Sequence, residues 1–547
     1  MAERVSAQDL AGLETGTDPA VLLNLIERLM ARVQVLEEEL ARARDEINRL
    51  KGEQGRPGGL TKKRQRAEHS SDRERREPAK SWHKGAKLPE VVIDREVECR
   101  LDAADLPEDA HLKDHVTVTV QDLVLRTDNV RFRCERWYVP STGTTYQAPL
   151  PAGYEGEFGP GLKALALTLA YSGNMGQAQI RRLFTSVGVR VSAGYLAGLL
   201  TDTADFAPEA QAVGVAGLAQ DGYAHIDVTP TRVAGSEHEC HVLGNTAFVF
   251  YHTDLFRDRQ AALRTLQLGA ANAFQVNTAA WRFLSLGGRL AASTRTVLET
   301  MPTDRRFTQP EWYGWLDTNL PWLGPQQRQR LSDAAAVGAY QAQTAVPIVD
   351  TLVCDDAPTF KGLTEELQLC WVHEGRHYKK LTPLIPRHQA LLDTFRGEFW
   401  TYYRRLRAYQ QAPTAALAAD LARDFATLFS RQTGYADLDD RLAKTKAKRQ
   451  ALLRVLEKPS LPLTNNPAEL AARRRVRKRD ASFGARSPAG IRAWDVFHTL
   501  IGTASLLGVN VLHYFRDRCS RAGAIPTLAD LIRQRPEQAA AAYLAAA

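Results

Sequence analysis

Three things are missing from this chain. No apolar run approaches the ~20 residues that a membrane-spanning helix requires. The start, Met1-Ala2-Glu3-Arg4, lacks the basic and then apolar segments of a secretory signal. Cysteine is sparse: six residues, at 99, 134, 240, 354, 370 and 519, make no disulfide framework. Together these absences predict a cytoplasmic protein without a membrane partner. What remains is 44% hydrophobic and 24% charged, enough apolar material for a core, which excludes collagen-like and wholly disordered chains. At roughly 100–200 residues per domain, 547 residues predict several folded units.

The net charge is +8, and it is concentrated. Residues 61–80 carry eight basic side chains, Lys62, Lys63, Arg64 and Arg66 among them, against four acidic ones. Residues 473–486 carry seven, Arg473, Arg474, Arg475, Arg477, Lys478, Arg479 and Arg486, against Asp480 alone. These two stretches account for the whole excess, and a localised positive field points to a polyanion, with nucleic acid first among candidates. A solvated basic face is the plainer alternative.

The chain divides by pattern. Leu22, Ile26, Leu29, Val33, Leu36, Leu40, Ala43, Ile47 and Leu50 alternate spacings of four and three, the 3.5-residue period of a left-handed coiled coil. Residues 1–55 are therefore expected to form a leucine zipper that makes a homodimer or higher oligomer. Glycines and Pro57 end it, and 56–90 reads as a flexible basic linker. Alternating Val116-Thr-Val-Thr-Val120, with Val91-Val-Ile93, Val130–Arg133 and Trp137–Val139, predicts a small β unit over 91–155. A helical segment follows over 156–215, with Ser192 as an N-cap and a helix–turn–helix as one reading. Residues 216–515 alternate apolar strands with helices, including helical stretches at about 262–345 and 385–458. Trp281, Trp312, Trp315 and Trp322 are the expected core anchors of the first. A helical tail occupies 516–547.

Three acidic settings could carry chemistry. Asp227 is a lone carboxylate within the apolar strand Ala224-His-Ile-Asp-Val228. Asp355 and Asp356 end the strand Ile348–Val353 just before Pro358, and Glu469 opens a helix at Asn465-Asn466-Pro-Ala-Glu469. Carboxylates at neighbouring strand ends suit Mg²⁺, and two such ions activate a nucleophile and stabilise the leaving oxygen of a phosphodiester. Each acid also has a structural reading. Asp227 could be a hydrogen-bonded core aspartate, and Asp355 or Asp356 a turn residue. Asn466, Pro467 and Glu469 would make a capping box. Arg473 and Arg477, at i+4 and i+8 from Glu469, put phosphate-binding groups on the helix face of that acid.

Read together, Leu352-Val-Cys-Asp355, Cys370-Trp-Val-His373 with Arg376, and Asn465-Asn466-Pro-Ala-Glu469 with its arginines and Ser482-Phe483-Gly484 resemble a DDE transposase of the insertion-sequence sixty-six family, in the RNase H/retroviral-integrase superfamily. The resemblance covers most of the chain in order. It implies a multidomain α+β protein: coiled coil, small β unit, helical segment, and an RNase H-like α/β catalytic core with helical insertions. It also implies Mg²⁺ dependence, with Mn²⁺ able to substitute, and partners in the element's terminal inverted repeats and target DNA. Helper proteins of the same element and a place at the bacterial nucleoid belong to the same expectation. Asp227, Asp355 and Glu469 take the catalytic, metal-binding places, with Asp356 as the alternative second acid. Two motifs depart from the family. Asp227-Val-Thr-Pro stands where Asp-Glu-Thr-Gly is usual. Of the two Cys-x-x-Cys pairs of its zinc-ribbon-like unit only Cys99 and Cys134 remain, with Trp137 in a cysteine's place. His111 and His115 do not restore ribbon spacing, so structural zinc is not expected. Cys370 and His373 make half a ligand set, read as packing. A catalytically inactive DNA-bridging descendant and a plain metal-dependent nuclease are the competing readings.

Overall fold

The computed structural model describes residues 18–50, 92–102, 111–112 and 114–535. Lys62, Lys63, Arg64 and Arg66, with the rest of the predicted basic linker, lie outside the described residues, as does the end of the predicted tail.

Helix α1 (Pro19–Leu50) carries the heptad residues. A different face docks it on the body of the protein. Asn24 donates to the Gly434 carbonyl at 2.8 Å and accepts from Ala436 N–H at 2.8 Å. Buried Glu27 accepts from Leu384 N–H and pairs with His388, whose ring stacks on Tyr435. Leu22, Ile26, Leu29, Val33, Leu36 and Leu40 remain 37–53% exposed.

The predicted β unit is much smaller than expected. Among the described residues of this stretch only β1 (Arg136–Val139) and β2 (Thr144–Gln147) form, as an antiparallel hairpin around Gly143. Val116, Val118 and Val120 alternate as a strand would, yet they are in no ladder and are 77–86% exposed. Alternation supplies a strand's shape, but without a partner strand the backbone hydrogen bonds have nowhere to go.

Four helices follow: α2 (Pro160–Leu167), α3 (Gln177–Ser186), α4 (Ala193–Thr201), capped by Ser192, and α5 (Ala207–Leu218). The chain then enters a five-stranded sheet through β3 (Tyr223–Val233), β4 (Ser236–Gly244) and β5 (Val249–Asp254), an antiparallel meander. The first insertion contributes α6 (Arg259–Leu266), α7 (Thr278–Ser285), α8 (Ala292–Glu299), α9 (Gln309–Asn319) and α10 (Pro325–Gln341). Trp312 is fully buried there, stacked on Phe274 and Trp315, whereas Trp322 is 58% exposed and anchors nothing.

β6 (Thr351–Cys354) and β7 (Glu366–Leu369) complete the sheet in the order β5-β4-β3-β6-β7. β6 is parallel to both β3 and β7. Strand β7, Glu-Leu-Gln-Leu, is too short to be legible by pattern. After α11 (Trp371–Lys379), the second insertion comprises α12 (Pro386–Gln411), α13 (Ala415–Phe429), α14 (Ala436–Ala447) and α15 (Arg449–Leu452). It packs on α11 through Trp371, ringed by Phe399, Tyr402, Phe425 and Phe429. Last come α16 (Asn466–Ser482), α17 (Pro488–Leu506), α18 (Val511–Ser520) and α19 (Leu528–Arg533).

One continuous apolar core joins the helices after residue 160, the sheet and both insertions. β6 pairs with only the first three residues of β3. Beyond them that edge of β3 meets α16, where Arg479 donates to the Pro230 carbonyl at 2.6 Å. Pro230, which lacks an N–H, is tolerated there because no strand runs along that edge.

Candidate acid centre

The centre lies where the sheet switches from antiparallel to parallel, the usual site of ligand crevices in open α/β sheets. In the β3–β6 ladder Tyr223 faces Thr351, Ala224 faces Leu352 and His225 faces Val353. The same register two residues on sets Asp227 beside Asp355, past the last residue of β6. The first turn of α16 is tied to this point by Asn465. Its amide donates to the Ile226 carbonyl at 2.9 Å, its oxygen lies 3.0 Å from His225 Nδ1, and its own N–H meets Cys370 Sγ at 3.2 Å. Asn465, fully buried, is thus spent on β3 and α11 and does not cap its helix by side chain. The expected capping box does not form, and Glu469 is left to face the acids.

Burial pushes the Asp227 carboxyl up to about 7. A hydrogen bond from Val228 N–H opposes this, the charges of Asp355 and Glu469 add to it, and Arg257 opposes it. Asp355 accepts from Ala357 N–H at 3.1 Å in a turn. Asp356 points elsewhere, 2.7 Å from Lys448 and 3.1 Å from Lys361. Burial raises its pKa, but these two ammonium groups outweigh that and hold it below the usual carboxylate value. Lys448 also reaches buried Glu374 at 3.0 Å, so Asp356 belongs to an ion network that ties α11 to the end of α14.

Glu469 accepts from Arg376 at 3.1 Å and lies 3.6 Å from His373 Nδ1. Arg376 is also 3.0 Å from His373 Nε2. A guanidinium only donates, so Nε2 is the acceptor and Nδ1 carries the hydrogen, aimed at Glu469. Burial lowers the His373 pKa, against the pull of Glu469. Cys370 Sγ, His373 and Glu469 have ligand atoms within 4.8 Å of one another. Burial holds the Cys370 thiol up at about 11. Arg376, Asn465 and Arg257 support or face this centre. The first two lie within recognised motifs, whereas nothing in the sequence around Arg257 marks it.

The basic helix is not uniform. Arg473 and Arg477 are exposed, and Arg474 is half-buried. Arg479 is tied to Pro230 and Asp480. Two expected DNA contacts are corrected. Arg475 is fully buried, paired with Asp495 between the rings of Tyr251 and Trp494. Lys478 is 5% exposed, donates to the Ala170 carbonyl and lies against Tyr171 and Trp494. A helix packed on a sheet turns every third or fourth residue inward, so a run of seven cations cannot all face solvent.

Residues 337–493, which hold Asp355, Cys370, His373 and Glu469, match the family described as Transposase IS66 family. An uncharacterized protein, y4jO of Sinorhizobium fredii (strain NBRC 101917 / NGR234), is 32% identical over 321 residues, covering 58% of this chain and 98% of that relative. No helix among the described residues is long and apolar enough to cross a membrane. The chain belongs to the Transposase IS66 family.

Proposed function

We propose that the protein is a DNA transposase that binds the terminal inverted repeats of its own insertion sequence. Its acid centre, Asp227, Asp355 and Glu469, would carry out Mg²⁺-dependent 3′-strand cleavage and strand transfer, with Mn²⁺ able to substitute. What supports this reading is that Asp227 lies on β3, Asp355 just past the end of β6 and Glu469 in the first turn of α16, with Asn465 tying that helix start to β3. The sheet order, three antiparallel strands followed by two parallel ones, is that of the RNase H-like fold and supports the same reading.

The residues fit a divalent cation. Glu469 Oε1 is buried without a hydrogen-bond partner, and burial, helped by the charges of Asp355 and Glu469, raises the proton affinity of Asp227. Hard oxygen ligands of this kind suit Mg²⁺. When bound, a metal pair supplies an activated water or 3′-hydroxyl and stabilises the leaving oxygen. The chain's own groups do the rest. Asn465 fixes the helix that carries Glu469 against the strand that carries Asp227. Arg376 orients the Glu469 carboxylate, and Arg473 and Arg477 offer phosphate contacts along the same helix. The exposed seam of α1 supports pairing of protomers, which would bring two DNA ends together.

The test is strand transfer into supercoiled plasmid with DNA ends taken from the flanks of the gene. Wild type is compared with Asp227→Asn, Asp355→Asn, Asp356→Asn and Glu469→Gln, with and without helper proteins of the same element. Joined products should require Mg²⁺ or Mn²⁺ and vanish in all variants except Asp356→Asn. Tight end binding without cleavage by any protein, helpers included, would favour the inactive bridging reading. Cleavage without joining would favour a nuclease.

A further inference from the structure

The last turn of α16 ends in an unusual way. Phe483 takes the left-handed conformation, φ 60° and ψ 21°, which bulky residues rarely adopt. Among the described residues it is the one aromatic side chain at positive φ. Leu268 shares that conformation, but its side chain is 4% exposed and packs in the core. The ring of Phe483 is 86% exposed, so no burial within the protein offsets the strain.

The backbone is held on both sides. Phe483 N–H donates to the Arg479 carbonyl at 2.7 Å, ending the helix. Ala485 N–H donates to the Arg232 carbonyl at 2.9 Å, and Ala234 N–H to the Ala485 carbonyl at 2.8 Å. Gly484 lies so close to β3 that a Cβ there would come within 2.7 Å of the Arg232 carbonyl. This close approach claims the glycine and leaves the left-handed position to Phe483. The result is an aromatic ring held away from the surface on a rigid mount. Arg232, against which Gly484 packs, and Arg486, three residues on, are exposed, as is Arg477 on the preceding turns of α16; none has an ion-pair partner among the described residues. The neighbouring acid, Asp480, is taken by Arg479.

We propose that Phe483 is a nucleobase-stacking residue that receives an unpaired base of bound DNA while the arginines around it hold the flanking phosphates. A flat apolar ring among free cations matches a polyanion that offers π faces, and it matches an acidic protein surface less well. The ring's place relative to the acid centre follows by two routes. From Glu469 to Phe483 is fourteen residues of helix, ~20 Å at 1.5 Å per residue. From Asp227 to Val233, whose neighbour pairs with Ala485, is six residues of strand, again ~20 Å. The ring thus lies ~20 Å from the acid centre, the length of about six base steps of B-form duplex at ~3.4 Å per step. This rests on the transposase reading only in that the bound polymer is DNA.

The experiment uses the full-length protein and two probes, a blunt duplex and the same duplex with a single-stranded arm carrying a fluorescent adenine analogue. Wild type should quench the analogue. Phe483→Ala should lose the quenching and bind the armed probe about tenfold more weakly or worse. Its affinity for the blunt duplex, and the dependence of binding on salt, should stay as in wild type. Phe483→Trp should retain both quenching and affinity. Arg477→Ala should instead weaken both probes and lower the salt slope by about 0.9. Equal binding of the armed probe by Phe483→Ala and wild type would overturn the proposal while leaving the transposase reading intact. So would a change in oligomeric mass at unchanged armed-probe affinity, which would assign the ring to a second copy of the chain. Failure of wild type to bind either probe would overturn both.

Discussion

Two arginines two residues apart, Arg475 and Arg477, should respond to substitution in opposite ways. Arg475 has no exposed surface; its guanidinium pairs with Asp495 and lies 5.4 Å from the ring centroids of both Tyr251 and Trp494. Asp495 also accepts from Thr253 N–H at 2.9 Å and Thr253 Oγ1 at 2.8 Å, so this one carboxylate joins β5, α16 and α17. Arg475→Met removes the counter-charge and leaves Asp495, part-buried with its side chain 17% exposed, with two neutral donors, a change that costs about 3 kcal/mol. Part of that should return in the double variant with Asp495→Asn, because the uncompensated charge is then gone. Arg477→Met touches an exposed side chain and should stay within about 0.5 kcal/mol of wild type. Its effect belongs to DNA: one phosphate contact fewer lowers the slope of log affinity against log salt by about 0.9. Urea unfolding reads the first effect and a salt titration of duplex binding the second. If Arg475→Met were as stable as wild type and lost only DNA affinity, the division of this helix into buried and DNA-facing cations would be wrong.

Three further outcomes follow from separate parts of the molecule. His241 and His498 are buried; burial pushes the first down to about 4 and, with Arg475, Arg474 and Lys478, the second well below its ordinary value. Both values lie below the unfolded one of ~6.5, so stability is complete above that pH and is lost as pH falls toward 4. These two groups should contribute up to about two protons to the slope of unfolding free energy against pH between 6 and 5, and His498→Phe should remove one of them. An unchanged slope would refute the assignment. Phe483→Gly relieves a left-handed residue and should be neutral to stabilising, by up to about 1 kcal/mol after the added chain entropy of glycine. Destabilisation by more than that amount would mean that the ring packs on the protein. Leu29→Lys with Leu36→Lys puts charge into the exposed seam of α1 and should give monomers by light scattering, with unfolding of the body unchanged. Persistence of a larger mass would place the oligomer interface elsewhere.

Much of this protein could be read without coordinates because its signals are local. The heptad spacing from Leu22 to Leu50 marks a helix, and Ser192 marks a helix start. The apolar runs around Asp227, Val242 and Val353 mark strands, since period and turn chemistry are written in neighbouring residues. The motifs around Asp355, Cys370 and Glu469 are local in the same sense, and they were enough to point to the family. The strand-like alternation of Val116–Val120 failed because a strand needs a partner that its own sequence does not name.

Tertiary structure decided the questions that depend on what lies across a gap in the chain. Asp355 and Asp356 are adjacent in sequence and equal by pattern. They differ because Lys448, more than ninety residues on, takes Asp356 into an ion network, while Asp355 accepts from the Ala357 N–H in its own turn. The cap expected at Asn466 does not form: the helix already starts there, and Asn465, which precedes it, turns its side chain to two buried partners on β3, so no capping box holds Glu469. Of seven cations in one run, two are buried, Arg475 between β5 and α17 and Lys478 against α17 and the Ala170–Tyr171 segment, while others face solvent. Sequence by itself determined where the helices and the longer core strands form and which residue types the site contains, because periodicity and capping act within a few residues. Which of those residues face one another was settled by packing, because burial and ion pairing are set by atoms that only the folded chain brings together.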